Sequence, residues 1–157
     1  MHRERTLNGI YAACQEEGSF VPKYGLNKEQ VKTTLSVALT DWETARSWVK
    51  KAPKESGQWN ALYKLHYDIL HGLVETFLLC DKVKARTHEC LFAYLCEKHP
   101  ELELSWGFFE KIRTKRNGSL YYGQPLSYAD WKEIEMQINL YLHTMKEAIE
   151  KALQEDR

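Results

Sequence analysis

Apolar side chains recur along most of this chain at intervals of three and four residues, which places them on one face of an α-helix. The clearest stripe consists of Val31, Leu35, Ala38, Trp42, Ala45 and Val49. Two further stripes consist of Leu62, Leu65, Ile69, Leu73, Thr76 and Cys80, and of Trp131, Ile134, Ile138, Tyr141, Met145, Ala148 and Ala152. No segment shows sustained two-residue alternation, so the sequence predicts helices and no strands.

Capping residues and breakers set the predicted boundaries of these helices. A short helix over 6–17 is expected within an entry segment of residues 1–26. The helices that follow are predicted at 27–51, at 58–81, at 87–98, from Ser105 to either Asn117-Gly118 or Gly123, and from Ser127 almost to the end of the chain. All four prolines fall between these segments. The predicted fold class is therefore all-α, a single domain over 1–157 with an up-and-down bundle of four to five helices in 27–156.

Composition narrows the classes of protein that fit. The 22 basic and 22 acidic residues cancel, so an anion would need a local cluster of cations rather than an overall field. No apolar run is long enough to cross a bilayer, and the charged N-terminus leads into no signal segment, so we expect a cytoplasmic protein without membrane contact. The four cysteines form no CxxC pair and are predicted to be reduced and buried as small apolar residues.

A cationic segment, Lys111 to Arg116, is the main candidate for chemistry. Arg116 follows Phe109 by seven residues, which places it within roughly 20° of Phe109 on a helix, so its guanidinium is predicted to point toward the apolar face. Three interpretations stay open: an ion pair with a carboxylate within the bundle, such as Glu75 or Glu133, cations that interact with the dipole of a helix C-terminus, or a pocket for phosphate or nucleotide.

Other residues and motifs give weaker evidence of a functional site. His66 and His71 lie about 140° apart on a helix and cannot share a metal, so no metal site is predicted. His88 fits a cap or a hydrogen-bonded residue at a helix boundary better than a catalytic base. The chain contains no phosphate-binding or dinucleotide glycine motif, and we expect no cofactor.

Arg116-Asn117 followed by Tyr121 resembles the arginine motif of HEPN (higher eukaryote and prokaryote nucleotide-binding) domains, in some prokaryotic branches of which tyrosine replaces the motif histidine. The segment from Lys84 to His88 is similar to the entry of the third helix in one such branch, and Leu62–Cys80 to its second helix. The resemblance covers about residues 30–150.

This resemblance implies a helical bundle that forms a homodimer, with the arginine motifs of two copies facing one cleft. It implies metal-independent ribonuclease activity in active members, and a small nucleotidyltransferase antitoxin as partner, which can adenylylate a tyrosine near the motif, here Tyr121 or Tyr122. The site residues that it implies are Arg116 and Tyr121 for catalysis, with Lys111, Arg113, Lys115, Arg116, Asn117 and Tyr122 for ligand binding.

The departure from the family pattern is Tyr121, which stands where a histidine is expected. A phenol is a weak base at neutral pH. General acid–base catalysis accelerates a reaction by roughly 10² to 10⁴. Without the motif histidine, the chain is therefore expected to bind its ligand rather than to turn it over. Three functions follow: a module that binds nucleotide, RNA phosphate or a nucleotidyltransferase in a toxin–antitoxin context, a metal-independent endoribonuclease, or a purely structural helical adaptor.

Overall fold

A computed structural model describes residues 5–155; residues 1–4 and 156–157, which belong to the predicted domain, lie outside the described part. Six α-helices, two short strands and one 3-10 turn follow one another along the chain. They are α1 (Leu7–Glu16), β1 (Phe20–Pro22), α2 (Lys28–Lys51), α3 (Gln58–Cys80), β2 (Val83–Ala85), α4 (His88–Lys98), the 3-10 turn Pro100–Leu102, α5 (Trp106–Tyr122) and α6 (Tyr128–Gln154). The predicted all-α class is confirmed.

Side-chain caps explain where five of the helices begin. The cap residues, each accepting a hydrogen bond from the backbone N–H three positions ahead, are Thr6, Asn27, Thr87, Ser105 and Ser127. Such a bond satisfies one of the otherwise unpaired donors of the first turn. Of the two predicted ends of α5, the structure shows the later one. The helix continues past Gly118 to Tyr122 and is capped by Gly123, whose φ of +64° is the left-handed conformation that glycine adopts readily.

The α3 helix occupies the centre of the core and packs against α2, α4, α5 and α6. It has more buried residues than any other helix among residues 5–155. The stripes of α2 and α6 face it: Trp42 and Trp131 are buried, and the indole N–H of Trp42 donates to Asn139. Burial of these faces supplies the main stabilisation of a bundle of this kind.

The prediction that the chain contains no strands is wrong. Residues Phe20–Pro22 and Val83–Ala85 pair antiparallel, with Val21 opposite Lys84. Three residues are too few to show an alternating pattern, which explains why the sequence did not reveal this ribbon. The ribbon joins the entry segment to the connection between α3 and α4, so the two cannot be treated as separate loops.

The prediction of four reduced cysteines is also wrong, because Cys14 of α1 and Cys90 of α4 form a disulfide. The packing of α1 on α4 brings the Cα atoms of the two cysteines to within 5.8 Å of each other. Their separation of 76 residues in the sequence gives no sign of this proximity. Cys80 and Cys96 are free thiols, and Cys96 is buried as expected. Disulfides are uncommon in reducing compartments, so this pair counts against the argument by which we predicted a cytoplasmic location.

Within residues 5–155, no helix combines the length and the apolar character that crossing a bilayer requires.

Candidate functional site

A cavity of about 340 Å³ opens between the first turn of α4 and the middle of α5. Its lining residues are Thr87, His88, Glu89, Arg113, Arg116, Asn117 and Tyr121. Four of the predicted site residues are therefore brought together: Arg113, Arg116, Asn117 and Tyr121. The N-terminus of α4 also meets this cavity, and the positive end of a helix dipole favours negative charge.

Arg116 points inward, as predicted, since only 19% of its side chain is exposed. The guanidinium carbon lies 5.3 Å from the centre of the Tyr67 ring on α3, which is a cation–π distance. Its bonds to oxygen are long: 3.3 Å from Nη2 to Asp68 Oδ1 and 3.5 Å from Nη1 to Asn117 Oδ1. The Nε atom is buried and has no partner among the described residues. Arg116 is thus a guanidinium with unused hydrogen-bonding capacity at an open cavity.

Arg113, one turn earlier on α5, is held more tightly than Arg116. It donates from Nε and Nη2 to the two carboxylate oxygens of Glu110, each at 3.0 Å, and from Nη2 to Glu89 of α4 at 3.1 Å. Glu89 also pairs with Arg5. The bidentate contact with Glu110 is among the stronger kinds of charge-assisted hydrogen bond. Arg113 lines the cavity, but its Nε and Nη2 already bind carboxylates of its own chain.

Lys111 and Lys115 lie on another face of α5 and do not line the cavity. Lys111 Nζ lies 2.8 Å from Glu133 Oε1, and Lys115 Nζ lies 3.4 Å from Asp130 Oδ1, both on α6. The structure therefore divides the cationic segment between two faces, and it does not bring these two predicted ligand-binding lysines to Arg116.

The predicted ion pair of Arg116 inside the bundle is present, but its partner is Asp68, whereas Glu75 pairs with His71 and Glu133 with Lys111. The helix-dipole interpretation is wrong, because α5 continues to Tyr122 and its last turn contains no cation. The ion pair with Asp68 leaves the cavity open, so the interpretation as a phosphate pocket stays a prediction.

The two tyrosines at the end of α5 differ in position. Tyr121 lies at the rim of the cavity and is 70% exposed, whereas Tyr122 is 78% exposed and does not line the cavity. Because α5 is continuous here, Tyr121 does not fold back onto Arg116, and on a regular helix the two residues project about 140° apart. Tyr121 is therefore placed to contact a ligand at the mouth of the cavity rather than at its floor.

Two histidines adjoin Arg116, and the sequence did not predict their meeting. The rings of His71 on α3 and His88 at the start of α4 lie with their centres 3.7 Å apart and their planes tilted by 32°. His88 Nδ1 lies 2.9 Å from the hydroxyl of Tyr67, and His71 Nε2 lies 3.4 Å from Glu75 Oε1. His88 is thus a hydrogen-bonded residue at a helix boundary, as predicted, but it also lines the cavity.

The connection between α3 and α4 explains this meeting. An extended residue spans about 3.3 Å along the chain, more than twice the 1.5 Å of a helical residue. Residues 81–87 therefore run back along α3, against which β2 packs, and deliver His88 to the level of His71. A sequence signal for this would have required recognition of β2, whose three residues are too short to show a pattern.

Burial and neighbouring charges keep these histidines neutral. Burial, together with the positive charge of Arg116, lowers the pKa of His71 to about 4. Burial, His71 and Arg116 lower the pKa of His88 to about 4, although Glu75 and Asp68 act in the opposite direction. Burial raises the pKa of the Tyr67 phenol, so at pH 7 its hydroxyl is available as a hydrogen-bond donor.

His66 belongs to the core rather than to this site. Its ring packs against Trp131 with the two planes tilted by 47°, and Nδ1 bonds to the carbonyl of Leu62 at 2.8 Å. It does not meet His71, as their helical separation predicted. Across residues 5–155 no group of three or more His, Cys, Asp or Glu side chains is arranged to hold a metal ion.

Comparisons of the chain with protein-family models, with curated proteins and with solved structures found no match.

Proposed function

We propose that this chain is a HEPN-like domain that binds the phosphate group of a nucleotide or of RNA in the cavity between α4 and α5. The observation that carries the proposal is Arg116, whose donors are under-used beside an open cavity. Arginine forms bidentate contacts with phosphate. Asn117 and the N-terminus of α4 add further donors and a favourable dipole.

Binding of 5′-AMP and of a short 5′-phosphorylated RNA, measured by calorimetry, tests this function. Replacing Arg116 with alanine should weaken binding at least about tenfold, since a charge-assisted hydrogen bond contributes roughly 1.5–3 kcal/mol. Arg116→Lys should retain part of the affinity through its charge. Lys115→Ala, on the other face of α5, is the matched control and should bind like the unaltered chain. Equal affinity of Arg116→Ala and the unaltered chain would refute the proposal.

A second candidate function, metal-independent endoribonuclease activity, is favoured by the position of His88 beside Arg116. A neutral imidazole can accept a proton at neutral pH, which Tyr121 is poorly suited to do. Incubation of the protein with a labelled RNA in the presence of EDTA should then give cleavage that both Arg116→Ala and His88→Gln abolish. An intact RNA after prolonged incubation would restrict the function to binding.

The proposal extends to partners. A homodimer would bring two copies of the cavity to one cleft, and the exposed side chains of Leu120, Tyr121 and Tyr122 beside the cavity offer a surface for such packing. Sedimentation at several concentrations tests this, and a monomer throughout would remove it. Co-expression with a small nucleotidyltransferase, followed by mass spectrometry, tests whether Tyr121 or Tyr122 gains an adenylate.

A further inference from the structure

The charges around the cavity do not by themselves favour an anion. Three guanidinium groups face four carboxylates, namely Arg5, Arg113 and Arg116 against Asp68, Glu75, Glu89 and Glu110. With neutral histidines the surroundings of the cavity are therefore short of one positive charge. A phosphate monoester, which is largely dianionic at pH 7, would meet neutral donors but only one full positive charge that is weakly paired, that of Arg116.

His88 is the group that can supply the missing charge. Its Nδ1 is bonded to the Tyr67 hydroxyl, while no bond is found for Nε2 among the described residues and the ring lines the cavity. A hydroxyl both donates and accepts, so Tyr67 can remain the partner of Nδ1 whether or not that nitrogen carries a proton. The Nε2–H would donate to an anion in either state. Protonation of His88 therefore requires no rearrangement of its contacts.

The groups that face His88 determine whether its protonated form becomes more or less favourable when an anion binds. From α3 they are Tyr67, Asp68, His71 and Glu75; from α5 they are Arg113 and Arg116; on α4 itself the neighbour is Glu89. Burial, His71 and Arg116 disfavour the imidazolium when no anion is bound. A unit of negative charge brought within about 4 Å changes a proton equilibrium roughly a thousandfold at an effective dielectric of 20. A bound dianion is thus sufficient to reverse the preference.

We infer that the cavity captures a terminal phosphate together with one proton, which His88 takes up, so that Arg116 and an imidazolium bind the dianion between them. The inference rests on the proposed phosphate-binding function and specifies its ligand class as a phosphate monoester. A phosphodiester carries a single negative charge, so it favours the imidazolium less than a monoester does. The neighbouring ring of His71 stays neutral, because two imidazolium rings 3.7 Å apart would repel each other.

Calorimetry of 5′-AMP binding in two buffers of different ionisation enthalpy measures the proton uptake. At pH 6.5 the unaltered chain should take up at least about half a proton per site beyond that of the ligand, because the occupied site favours the charged imidazole. His88→Gln should abolish this uptake and weaken binding about tenfold at pH 6, with a smaller loss at pH 8. His143→Gln, an exposed histidine of α6, is the control and should leave uptake and affinity unchanged.

A methyl ester of AMP, which is a diester, should bind at least about tenfold more weakly than AMP and with a smaller proton uptake by His88. The imidazole resonances of His88 in the unaltered chain provide a measurement that does not depend on a variant, and they should move to the protonated position when AMP binds.

The outcomes separate the inference from the function on which it rests. Binding that depends on Arg116 but proceeds without a proton on His88, or with the same uptake in His88→Gln, overturns the inference and leaves the function intact. Failure of the unaltered chain to bind AMP, or binding that is indifferent to Arg116→Ala, overturns both.

Discussion

The two cationic faces of α5 differ in what surrounds them. Lys111 and Lys115 meet carboxylates of α6 at the surface, where both lysine side chains are at least 39% exposed. Arg113 and Arg116, with 16% and 19% exposure, point toward α3 and α4. One face thus consists of solvated ion pairs. The other encloses a cavity in which Arg113 makes three short bonds to carboxylates, while Arg116 makes only two long bonds to oxygen. The comparison teaches that the availability of a cation depends on its partners, and the number of cations in a segment does not reveal it.

The largest expected effect is a difference in the free energy of unfolding between variants on the two cationic faces of α5. Arg113→Ala leaves Glu89 and Glu110, both less than a quarter exposed, without their shared cation, and should lower the free energy of unfolding by about 3 kcal/mol. Lys111→Ala should cost less than about 1 kcal/mol, because exposed pairs contribute little. Urea denaturation of the two variants measures the difference. Equal losses would show that the faces are energetically alike.

The next effect is the pH dependence of stability on the cavity side. The pKa values of His71 and His88 are lowered to about 4 in the folded chain, against about 6.5 when unfolded. The unfolded chain therefore binds more protons between these values, and stability should decrease as pH falls from 6.5 toward 4, by about 2 kcal/mol after allowance for partial exposure.

His99 acts in the opposite sense, because its bonds to Asp81 and Glu101 raise its pKa. Its contribution is present below pH 6.5 and is lost as the pH rises through the raised value. Thermal melts of His88→Gln against the unaltered chain isolate the cavity contribution, which should appear as a flatter dependence in the variant. Parallel curves for the two proteins would contradict the assignment.

A smaller effect concerns the competition for Arg116. Asp68 is 55% exposed and bonds Arg116 only at 3.3 Å, so Asp68→Asn should cost less than about 1 kcal/mol in stability. Removing this carboxylate should raise the affinity for AMP about three- to tenfold, since it competes for the guanidinium and adds negative charge to the cavity. Calorimetry checks this, and a weaker affinity would mean that Asp68 positions Arg116 rather than competing with a ligand.

The smallest effect is expected on the face of α5 that carries Lys111 and Lys115. Lys115→Ala should change the free energy of unfolding by no more than about 0.5 kcal/mol, because its pair with Asp130 is long and exposed. Asp130 retains its bonds to the N–H and hydroxyl of Ser127, which hold the first turn of α6. A loss above about 1 kcal/mol, measured by urea titration, would show that the pair of Lys115 and Asp130 contributes substantially to stability.

Much of the fold follows from local patterns. Apolar stripes at spacings of three and four residues predict which faces are buried, and polar residues with capping side chains predict where helices start. Asn27, Thr87 and Ser127 are caps where the sequence placed them. The disulfide between Cys14 and Cys90 and the β-ribbon escaped prediction, because each depends on residues far apart in the chain.

The site is predictable only in part, for the same reason. The inward direction of Arg116 follows from its spacing to Phe109, since both lie on one helix. Its partner Asp68 lies 48 residues away, and His71 meets His88 only because the extended connection runs back along α3. Side chains that meet across helices depend on register and crossing geometry, which a periodic pattern in one helix does not specify.

The central claim, that Arg116 rather than Arg113 binds an anion in the cavity between α4 and α5, is tested most directly by nuclear magnetic resonance. The Nε–H resonances of Arg113 and Arg116 are followed while 5′-AMP is added, with Arg116→Lys used for assignment. We expect the Arg116 resonance to move and saturate with the binding curve, while that of Arg113, held by Glu110 and Glu89, moves much less. An Arg116 resonance that stays in place at saturating AMP would contradict the account.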